Sequence, residues 1–351
     1  MTPEDTIVCL CTRQDFEASH RQRLTAICRA RSIDWQRVSA TATQHGVAPL
    51  VYTNLQAYAD GLGIPGDVLE GLRRISEHNK FTRAVSGAVL EKALALFNAK
   101  RIDVMLVKGA ALNLLVYDQP WYTMSGDIDL LIRPRRSELD PADLQAIVTY
   151  LERFNHQRSR YKLHLEYDFY AHHDVTMNGL LPWDAARLWQ EARPLQMNGC
   201  RAMAMAPEDL LLAAAVNSCR HRFFRLKSLC DITAILARYP DLDWRGLASK
   251  ARDYRCNTIL YSALWVTHMT LGCSWPEGWL SQLRVNPARA ALIRLVATVV
   301  LRHKSLSDLR VRSRPVLFGR ALSWSLALTY ATYRLDQLLP KLRQLRHGDV
   351  Q

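Results

Sequence analysis

The fold is decided by residues 102–132, which read IDVMLVKGAALNLLVYDQPWYTMSGDIDLLI. The run from Ile102 to Val107 is mostly apolar and β-branched at both ends, which predicts a strand. Lys108-Gly109 follows at once and leads into AALNLLVY, so a tight glycine turn opens a helix. A second strand, Ile128 to Ile132, stops at Pro134. This order of strand, turn, helix and strand indicates a small α/β core.

Asp127 and Asp129 occupy alternate positions at the start of the second strand. Alternate residues share one face, with Cα atoms about 6.6 to 6.8 Å apart, so both carboxylates can reach one or two metal ions. Because the next three residues are apolar, carboxylates at this buried strand need a cation or hydrogen bonds. Mg²⁺, or Mn²⁺ in its place, is typically held by such acids together with substrate phosphates. The alternative is a pair of acids at a solvated strand edge.

Lys108 and Gly109 lie where the first strand turns into the helix. Glycine lets the backbone approach a ligand, and the free N–H groups at a helix start can bind phosphate oxygens. Lys108 adds a positive charge for the β- and γ-phosphates of a nucleotide. Both residues are therefore candidates for nucleotide binding; the alternative for Lys108 is a solvated lysine at a strand end.

The segment LVKGAALNLLVYDQPWYTMSGDIDLLIRP resembles the core of the uncharacterised nucleotidyltransferase family, whose members read KG-A, a helix and then DIDLL. That family belongs to the polymerase-beta-like nucleotidyltransferase superfamily. Looser similarity extends the resemblance over roughly residues 30–240. It implies an α+β fold, with a small mixed β-sheet nucleotidyltransferase core flanked by N-terminal and C-terminal helical regions. It also implies transfer of a nucleotidyl group from a nucleoside triphosphate, such as ATP, with Asp127 and Asp129 as catalytic metal ligands.

Nucleotide contacts are expected on both sides of this core. Ser125 and Gly126 directly precede the aspartate pair and are assigned to the nucleotide. Family members often carry an arginine in this loop, but nothing between Ala111 and Gly126 is basic. A basic cluster lies farther along, where Arg222 and Arg225 on a predicted helix could close over the triphosphate. The alternative there is an internally paired helix, with Lys227 and Asp231 at i, i+4.

A third acid is expected from a later strand, and two positions compete for it. The sequence from Leu163 to Phe169 offers His164, Glu166 and Asp168 on one face of a predicted strand. The other alignment uses VTMN, which has Thr176 and Asn178 instead and no acid. We assign the role to Glu166, with Asp174 as a substitute.

Three regions are predicted from the pattern of apolar residues: an N-terminal helical region over 1–85, the α/β core over 86–182 and a C-terminal helical domain over 183–351. Asp34 is expected to cap a helix running to Leu55, and the chain is expected to return to helix from Trp183 onward. The apolar stretch with a basic end, from Ala321 to Gly348, is interpreted as core, with a membrane surface as the alternative.

The net charge is +13, which attracts polyanions such as a nucleotide or RNA. The first residues lack the pattern of a signal peptide and no run is apolar enough for a transmembrane segment, so a cytoplasmic protein is predicted. The eight cysteines include no CxxC pair and are expected to be reduced.

Two functions other than catalysis remain open at this point. Without the loop arginine and with an uncertain third acid, the fold could be a catalytically degenerate module that binds a nucleotide or a partner. The charge also allows RNA binding, although no stacking motif is recognised. The acceptor, whether small molecule, RNA or protein, is not specified by the sequence.

Overall fold

A computed structural model describes residues 1–124, 127–133, 162–167, 183–221, 223, 225–303 and 305–306. Helices precede the sheet, as the sequence predicted. Their bounds are α1 Pro3–Leu10, α2 Ala18–Ala30, α3 Trp35–Gln44, α4 Ala48–Gln56, α5 Ala59–Leu62 and α6 Gly66–Ala99. Asp34 caps α3 as expected, because its carboxylate accepts a hydrogen bond from the Arg37 N–H at 3.0 Å.

The single helix expected from Asp34 to Leu55 is wrong, since the chain breaks between α3 and α4. Gly46 lies at the break with φ +73°, in the left-handed region that ends many helices. Its carbonyl accepts a hydrogen bond from the Met124 N–H at 3.0 Å. The break therefore joins the N-terminal helices to the loop that precedes Asp127.

In the described part of the chain, five strands form one mixed sheet in the order β3-β2-β1-β5-β4. Strand β1 is antiparallel to β2 and parallel to β5, and β2 is parallel to β3. Helix α7, Lys108–Leu115, follows β1 without a break. The strands are β1 Asp103–Val107, β2 Asp127–Arg133, β3 Lys162–Tyr167, β4 Arg193–Met197 and β5 Cys200–Ala204. This confirms the predicted α+β class and its small mixed sheet.

The hairpin β4–β5 corrects the expectation of helix from Trp183 onward. Its loop is Asn198-Gly199, both with positive φ, and Met197 pairs with Cys200. Asn-Gly is the preferred pair for a two-residue hairpin turn, so the sequence did carry the signal. The hairpin is not peripheral, because β5 lies beside β1 in the sheet.

The remaining described elements are helical. They are α8 Ala185–Glu191, α9 Pro207–Arg220, α10 Leu226–Arg238, α11 Trp244–Asp253, α12 Asn257–Leu271, a 3₁₀ helix Trp279–Leu283 and α13 Pro287–His303. Pro207 stands at the start of α9 with two acids in the first turn, as predicted. Among the described helices, none combines the length and apolarity needed to cross a bilayer.

One buried apolar cluster connects all of these parts. It contains residues of α1 such as Ile7, the strands β1 and β2, and α12 and α13. The long helix α6 contributes to it at both ends and packs against β1 and β5 with its C-terminal half. The division into three regions at 85 and 182 stays a prediction; the helix α6 runs without interruption across residue 85.

Candidate functional site

The candidate site lies where β1 ends and β2 begins. Val107, the last residue of β1, is the register partner of Asp129. Lys108 comes next in the chain, so the antiparallel pairing brings it beside this aspartate. The Lys108 Nζ donates a hydrogen bond to Asp129 Oδ1 at 3.2 Å. The sheet register therefore joins two residues that are 21 positions apart in the sequence.

Both partners of this ion pair are largely buried. The Lys108 and Asp129 side chains retain only 14% and 13% of their exposure. Ile128 on one side of Asp129 and Leu130 on the other are buried in the core. A carboxylate in such surroundings must be compensated, and Lys108 supplies the opposite charge. Both side chains are thus more buried than the solvated lysine and the solvated strand edge that the sequence left open as alternatives.

Helix α7 starts inside the site. Its N-cap residue, Val107, has an extended backbone and offers no side-chain hydrogen bond to the first turn. The first N–H groups of a helix have no intrahelical acceptor and carry the positive end of the helix dipole. Gly109 is the second residue of this helix, while the left-handed φ of +51° belongs to Lys108. The turn expected at Gly109 is thus made by the lysine itself.

Strand β3 lies beside β2, as expected for the strand that carries the third acid. In the parallel register His164 pairs with Asp129, Lys162 pairs with Asp127, and Glu166 pairs with Leu131. By normal strand spacings, the Cα atoms of Glu166 and Asp129 are about 8 Å apart. The side chains of Asp127 and Glu166 lie outside the described residues, as do Asp168, Asp174, Thr176 and Asn178.

The loop before Asp127 is held by buried polar contacts. The Asn79 side-chain amide, on α6, donates hydrogen bonds to the Trp121 and Thr123 carbonyl oxygens at 2.7 and 3.2 Å. The Tyr117 hydroxyl donates to Asp231 Oδ1 at 2.7 Å. Burial, together with the charge of Asp231, raises the pKa of Tyr117 well above its ordinary value. The loop is thus anchored to both the N-terminal and the C-terminal helices.

Lys227, which follows the basic residues Arg222 and Arg225 in the chain, forms an ion pair inside the protein. Its Nζ lies 2.7 Å from Asp231 Oδ2, and both side chains are buried. The cluster is also not on one helix, because α9 ends at Arg220 and α10 starts at Leu226. The expected helical face joining Arg222 and Arg225 is wrong for this reason. The internal i, i+4 pair that the sequence offered as the alternative is confirmed.

Arg225, at the N-cap of α10, nevertheless approaches the loop before Asp127. A Cβ atom built on Gly46 would lie 3.6 Å from Arg225 Nη2 and 3.6 Å from the Met124 carbonyl oxygen. Arg225 Nη2 and the Met124 carbonyl oxygen therefore lie no farther apart than the sum of these two distances. Three further residues assigned to nucleotide binding, Ser125, Gly126 and Arg222, lie outside the described residues.

A buried histidine that sequence reasoning missed fixes Arg225 in this place. The Leu226 N–H donates to His45 Nδ1 at 3.2 Å, and His45 Nε2 lies 2.9 Å from the Leu306 carbonyl oxygen. Since Nδ1 accepts, Nε2 carries the proton and the ring is the neutral Nε2–H tautomer. A lone histidine before a glycine gives no sequence signal for such a role. The sequence likewise gives no signal for the contacts that Asn79 and Tyr117 make with the loop and with Asp231.

The chain matches the family model described as uncharacterised nucleotidyltransferase over residues 31–272. The chain belongs to this family. The match covers α3 to α12 and so includes the sheet, the Lys108–Asp129 pair and the helices that hold the loop. A general role as a nucleotidyltransferase, acting on a nucleotide substrate, follows from the family. Neither the curated proteins nor the solved structures contain a match to this chain.

Proposed function

We propose that this member of the family transfers a nucleotidyl group from a nucleoside triphosphate to an acceptor in a reaction that requires a divalent metal. The observation that carries the proposal is the Lys108–Asp129 pair, with Nζ and Oδ1 3.2 Å apart at the uncapped start of α7. A cation, a carboxylate and the N-terminus of a helix meet where β1 ends and β2 begins. That combination suits a metal-bound polyphosphate.

The donor set fits Mg²⁺ or Mn²⁺. Asp129 offers a carboxylate near the start of β2, and Asp127 lies two residues before it on the same strand. Hard divalent cations prefer such oxygen ligands and usually complete their shell with substrate phosphates. When bound, the metal would neutralise charge on the phosphates and orient the reacting oxygens.

Lys108 has two roles in this proposal. Without substrate it is the counter-ion of Asp129, whose side chain is largely buried. With a metal–nucleotide complex present, the metal takes over that compensation and the ammonium group can bind a phosphate oxygen. The same lysine therefore keeps the site ready for metal and later holds the substrate.

Arg225 and Glu166 complete the proposed site. Arg225 approaches the loop before Asp127 from the C-terminal helices and would contact the phosphates, as would Ser125, Gly126 and Arg222. Glu166 is proposed as the third carboxylate, although its register partner is Leu131 and not Asp129. Its side chain would have to extend back along the strand to share the metal. A cytoplasmic location, predicted from the sequence, suits an enzyme that uses nucleoside triphosphates.

The competing function is a catalytically degenerate module that binds a nucleotide or a partner without turnover. The register of Glu166 favours it, because the third acid is displaced by two residues from the position opposite Asp129. Where the ligand of this module is a nucleotide, both functions require nucleotide binding at Lys108 and Asp129. They differ only in whether the bound nucleotide is transferred.

Binding is tested by the thermal stability of the protein with each nucleoside triphosphate and Mg²⁺ or Mn²⁺. Asp127→Asn and Asp129→Asn should each abolish the metal-dependent stabilisation. The matched control is Asp103→Asn, because Asp103 lies on β1 of the same sheet and pairs with the exposed Arg133 at 3.3 Å. Stabilisation that persists in Asp129→Asn would contradict the proposal.

Turnover is tested with nucleotides labelled on the α-phosphate, which are incubated with the protein, the metal and a total cell extract. Label on an acceptor with the wild type, and none with Asp129→Asn, supports transfer and identifies the acceptor. Binding without any labelled acceptor supports the degenerate module.

A further inference from the structure

Two adjoining cavities lie between the N-terminal helices and the end of α12. The larger one, of about 500 Å³, lies between α1 and α2. The smaller one, of about 230 Å³, extends from there to the last residues of α12. Met1, Thr6 and Arg23 line both cavities, so the two form one continuous groove. Its larger part alone falls within the range of roughly 300 to 1,000 Å³ that is typical of pockets for small molecules.

The side of α2 that lines this groove combines positive charge with apolar surface. It consists of Arg23, Ala26, Ile27, Ala30 and Arg31. Their spacing of three and four residues places them on one face of a helix. Among the described residues, no acid lines either cavity, so the groove is positively charged. A ligand that suits this face carries a negative charge beside an apolar part.

The guanidinium groups of Arg23 and Arg31 have no partner elsewhere in the described part of the chain. Neither forms an ion pair or a side-chain hydrogen bond with another described residue. Arg13, which lines the smaller cavity, differs from them because it donates a hydrogen bond to the Leu271 carbonyl oxygen at the end of α12. Arg23, which lines both cavities, is thus the arginine best placed to bind an anion.

A buried hydroxyl group indicates a ligand independently of the arginines. Thr270 lines the smaller cavity, and only 8% of this residue is exposed. Its Oγ1 has no hydrogen-bond partner in the described chain. On the same helix, Ser262 and Thr267 donate to carbonyl oxygens one turn earlier, at 2.9 and 2.7 Å. Because buried hydroxyl groups are nearly always hydrogen-bonded, Thr270 is expected to bond a group in the cavity.

Large apolar side chains are exposed at the same groove. Met1 and Met269 are both exposed, although most large apolar residues of the described chain are buried. Met1 lines both cavities and Met269 lines the smaller one. Methionine adapts to irregular shapes, and covering it with an apolar ligand removes its surface from water.

We propose that this groove binds an anionic amphiphile, a small molecule that carries a phosphate or carboxylate group on an aliphatic chain. The anionic group lies in the smaller cavity, where Arg23 and the Thr270 hydroxyl bind it. The aliphatic chain lies along Ile27 in the larger cavity. Helices α1 and α2 precede residue 31, where the match to the family begins, so the groove is not a feature of the family core. It is also separate from the proposed nucleotide site, because neither Lys108 nor Asp129 lines it.

The test is titration calorimetry of the full chain, without metal, with octyl phosphate, octanoate, octanol and inorganic phosphate. At least one of the two amphiphiles should bind about tenfold more tightly than octanol and inorganic phosphate, because only an amphiphile uses both parts of the groove. Arg23→Gln should weaken that binding about three- to tenfold, as expected for a partly exposed charged contact. The matched control is Arg29→Gln, since Arg29 is exposed on the same helix and lines neither cavity. That variant should bind like the wild type.

Thr270→Val separates a ligand contact from a structural role. Valine keeps the shape of the side chain and removes the hydroxyl group. The stability of the ligand-free protein should not fall, because Thr270 Oγ1 has no partner to lose in the described chain. The affinity for the amphiphile should fall about three- to tenfold. A variant that binds the amphiphile as tightly as the wild type would overturn the proposal.

Further outcomes would show that the amphiphile is bound in another way, and each would overturn the proposal. Weaker binding of octyl phosphate to Lys108→Ala would place it at the proposed nucleotide site. Equal losses in Arg23→Gln and Arg29→Gln would reduce the interaction to general attraction by net charge. Binding to vesicles that contain phosphatidic acid, without binding of either free amphiphile, would assign the groove to a membrane surface.

Discussion

At the scale of single residues, Lys108 combines two properties that are usually separate. It is the counter-ion of Asp129, and it holds a φ of +51°, where a β-carbon is unfavourable. Left-handed backbone in a residue other than glycine costs roughly 1 kcal/mol or more and is often found at functional sites. The lysine is thus tolerated at a place where glycine would be the more stable choice for the backbone.

Replacing Lys108 by alanine and by glycine separates the two properties. Both variants should weaken triphosphate binding by about 1 to 3 kcal/mol, because both lose the ammonium group. Lys108→Gly should nevertheless be more stable than Lys108→Ala by about 1 kcal/mol, since it relieves the backbone. Calorimetry and chemical denaturation give the two quantities. Equal stability of the two variants would show that the left-handed backbone carries no strain, and unchanged affinity would exclude a phosphate contact.

A second residue-scale prediction concerns Tyr117, which ties the loop to α10 through Asp231. Tyr117→Phe removes one hydrogen bond from a buried carboxylate and should lower the free energy of unfolding by about 1 to 3 kcal/mol. Tyr122→Phe is the control, because this half-buried tyrosine lies five residues further along the same loop. Denaturant titrations of both variants measure the effect. A loss below about 0.5 kcal/mol for Tyr117→Phe would show that Lys227 alone satisfies Asp231.

At the scale of elements, the sequence predicted those whose signal is local. The strand–glycine–helix order at Lys108 and the DIDLLI strand follow from composition and spacing alone. The hairpin β4–β5 was missed because RPLQM and CRAMA carry few β-branched residues, although Asn198-Gly199 marks its turn. The role of Asn79 on α6 could not be predicted for another reason. Asn79 has the composition of a solvated helix face, and its hydrogen bonds to the loop before Asp127 appear only in the folded chain.

The helices α8, α9 and α11 share a buried charge network. The Lys250 Nζ lies 2.8 Å from Asp209 Oδ2. The side chains of Lys250 and Asp209 are 5% and 1% exposed. The Lys250 Nζ also contacts Glu191. Burial raises the pKa of Asp209, and Lys250 offsets part of that effect. Lys250 therefore opposes the effect of burial on the pKa of Asp209.

Removing the lysine alone should be far more damaging than removing both charges. Lys250→Met leaves a buried carboxylate uncompensated and should cost about 3 to 5 kcal/mol of stability. The double variant Asp209→Leu with Lys250→Met should recover most of that loss, because it leaves no buried charge. Denaturant unfolding of the three proteins tests this. A double variant no more stable than Lys250→Met would contradict the charge argument and favour a packing role.

The same network predicts a dependence of stability on pH. Burial acts to raise the pKa of Glu191, but hydrogen bonds from Arg187 and Lys250 outweigh it and the pKa is lowered from 4.5. A lowered carboxylate pKa stabilises the fold fully above the unfolded value and is lost as pH falls through the folded value. Glu191→Gln should therefore flatten the fall in stability below pH 4.5. The raised pKa of Asp209 acts with the opposite sign, and the substitution should lower it because the charge of Glu191 contributes to it. If the stability of Glu191→Gln fell below pH 4.5 as steeply as that of the wild type, the role assigned to Glu191 would be contradicted.

At the scale of the whole molecule, the apolar core and the charges lead to separate expectations. The core is one cluster from Ile7 to Leu306 among the described residues, and α6 crosses the predicted boundary at residue 85. Such a core should unfold in a single transition, which calorimetry would show as equal calorimetric and van't Hoff enthalpies. Two resolved transitions would support the division into regions that the sequence predicted.

The charge of the chain bears on whether RNA is a ligand. Its net value of +13 already counts local ion pairs such as those of Arg73 and Arg74 with Glu70 and of Lys227 and Lys250 with aspartates. A net positive charge of this kind attracts polyanions without sequence preference. We therefore expect RNA to bind through scattered phosphate contacts, unlike a nucleotide held at one site.

The dependence of affinity on salt distinguishes the two kinds of binding. Each phosphate that the protein neutralises on an RNA releases counterions, so an RNA held by six or more contacts should lose roughly a thousandfold in affinity between about 50 and 200 mM salt. Nucleotide binding at Lys108 and Asp129 involves fewer charges and a metal, and its affinity should fall much less over that range. Fluorescence anisotropy of a labelled RNA and of a labelled nucleotide, in the same salt series, gives both slopes. Tight RNA binding with a shallow slope would contradict this expectation and would make RNA the leading candidate for the acceptor, because contacts beyond simple charge neutralisation would then hold it.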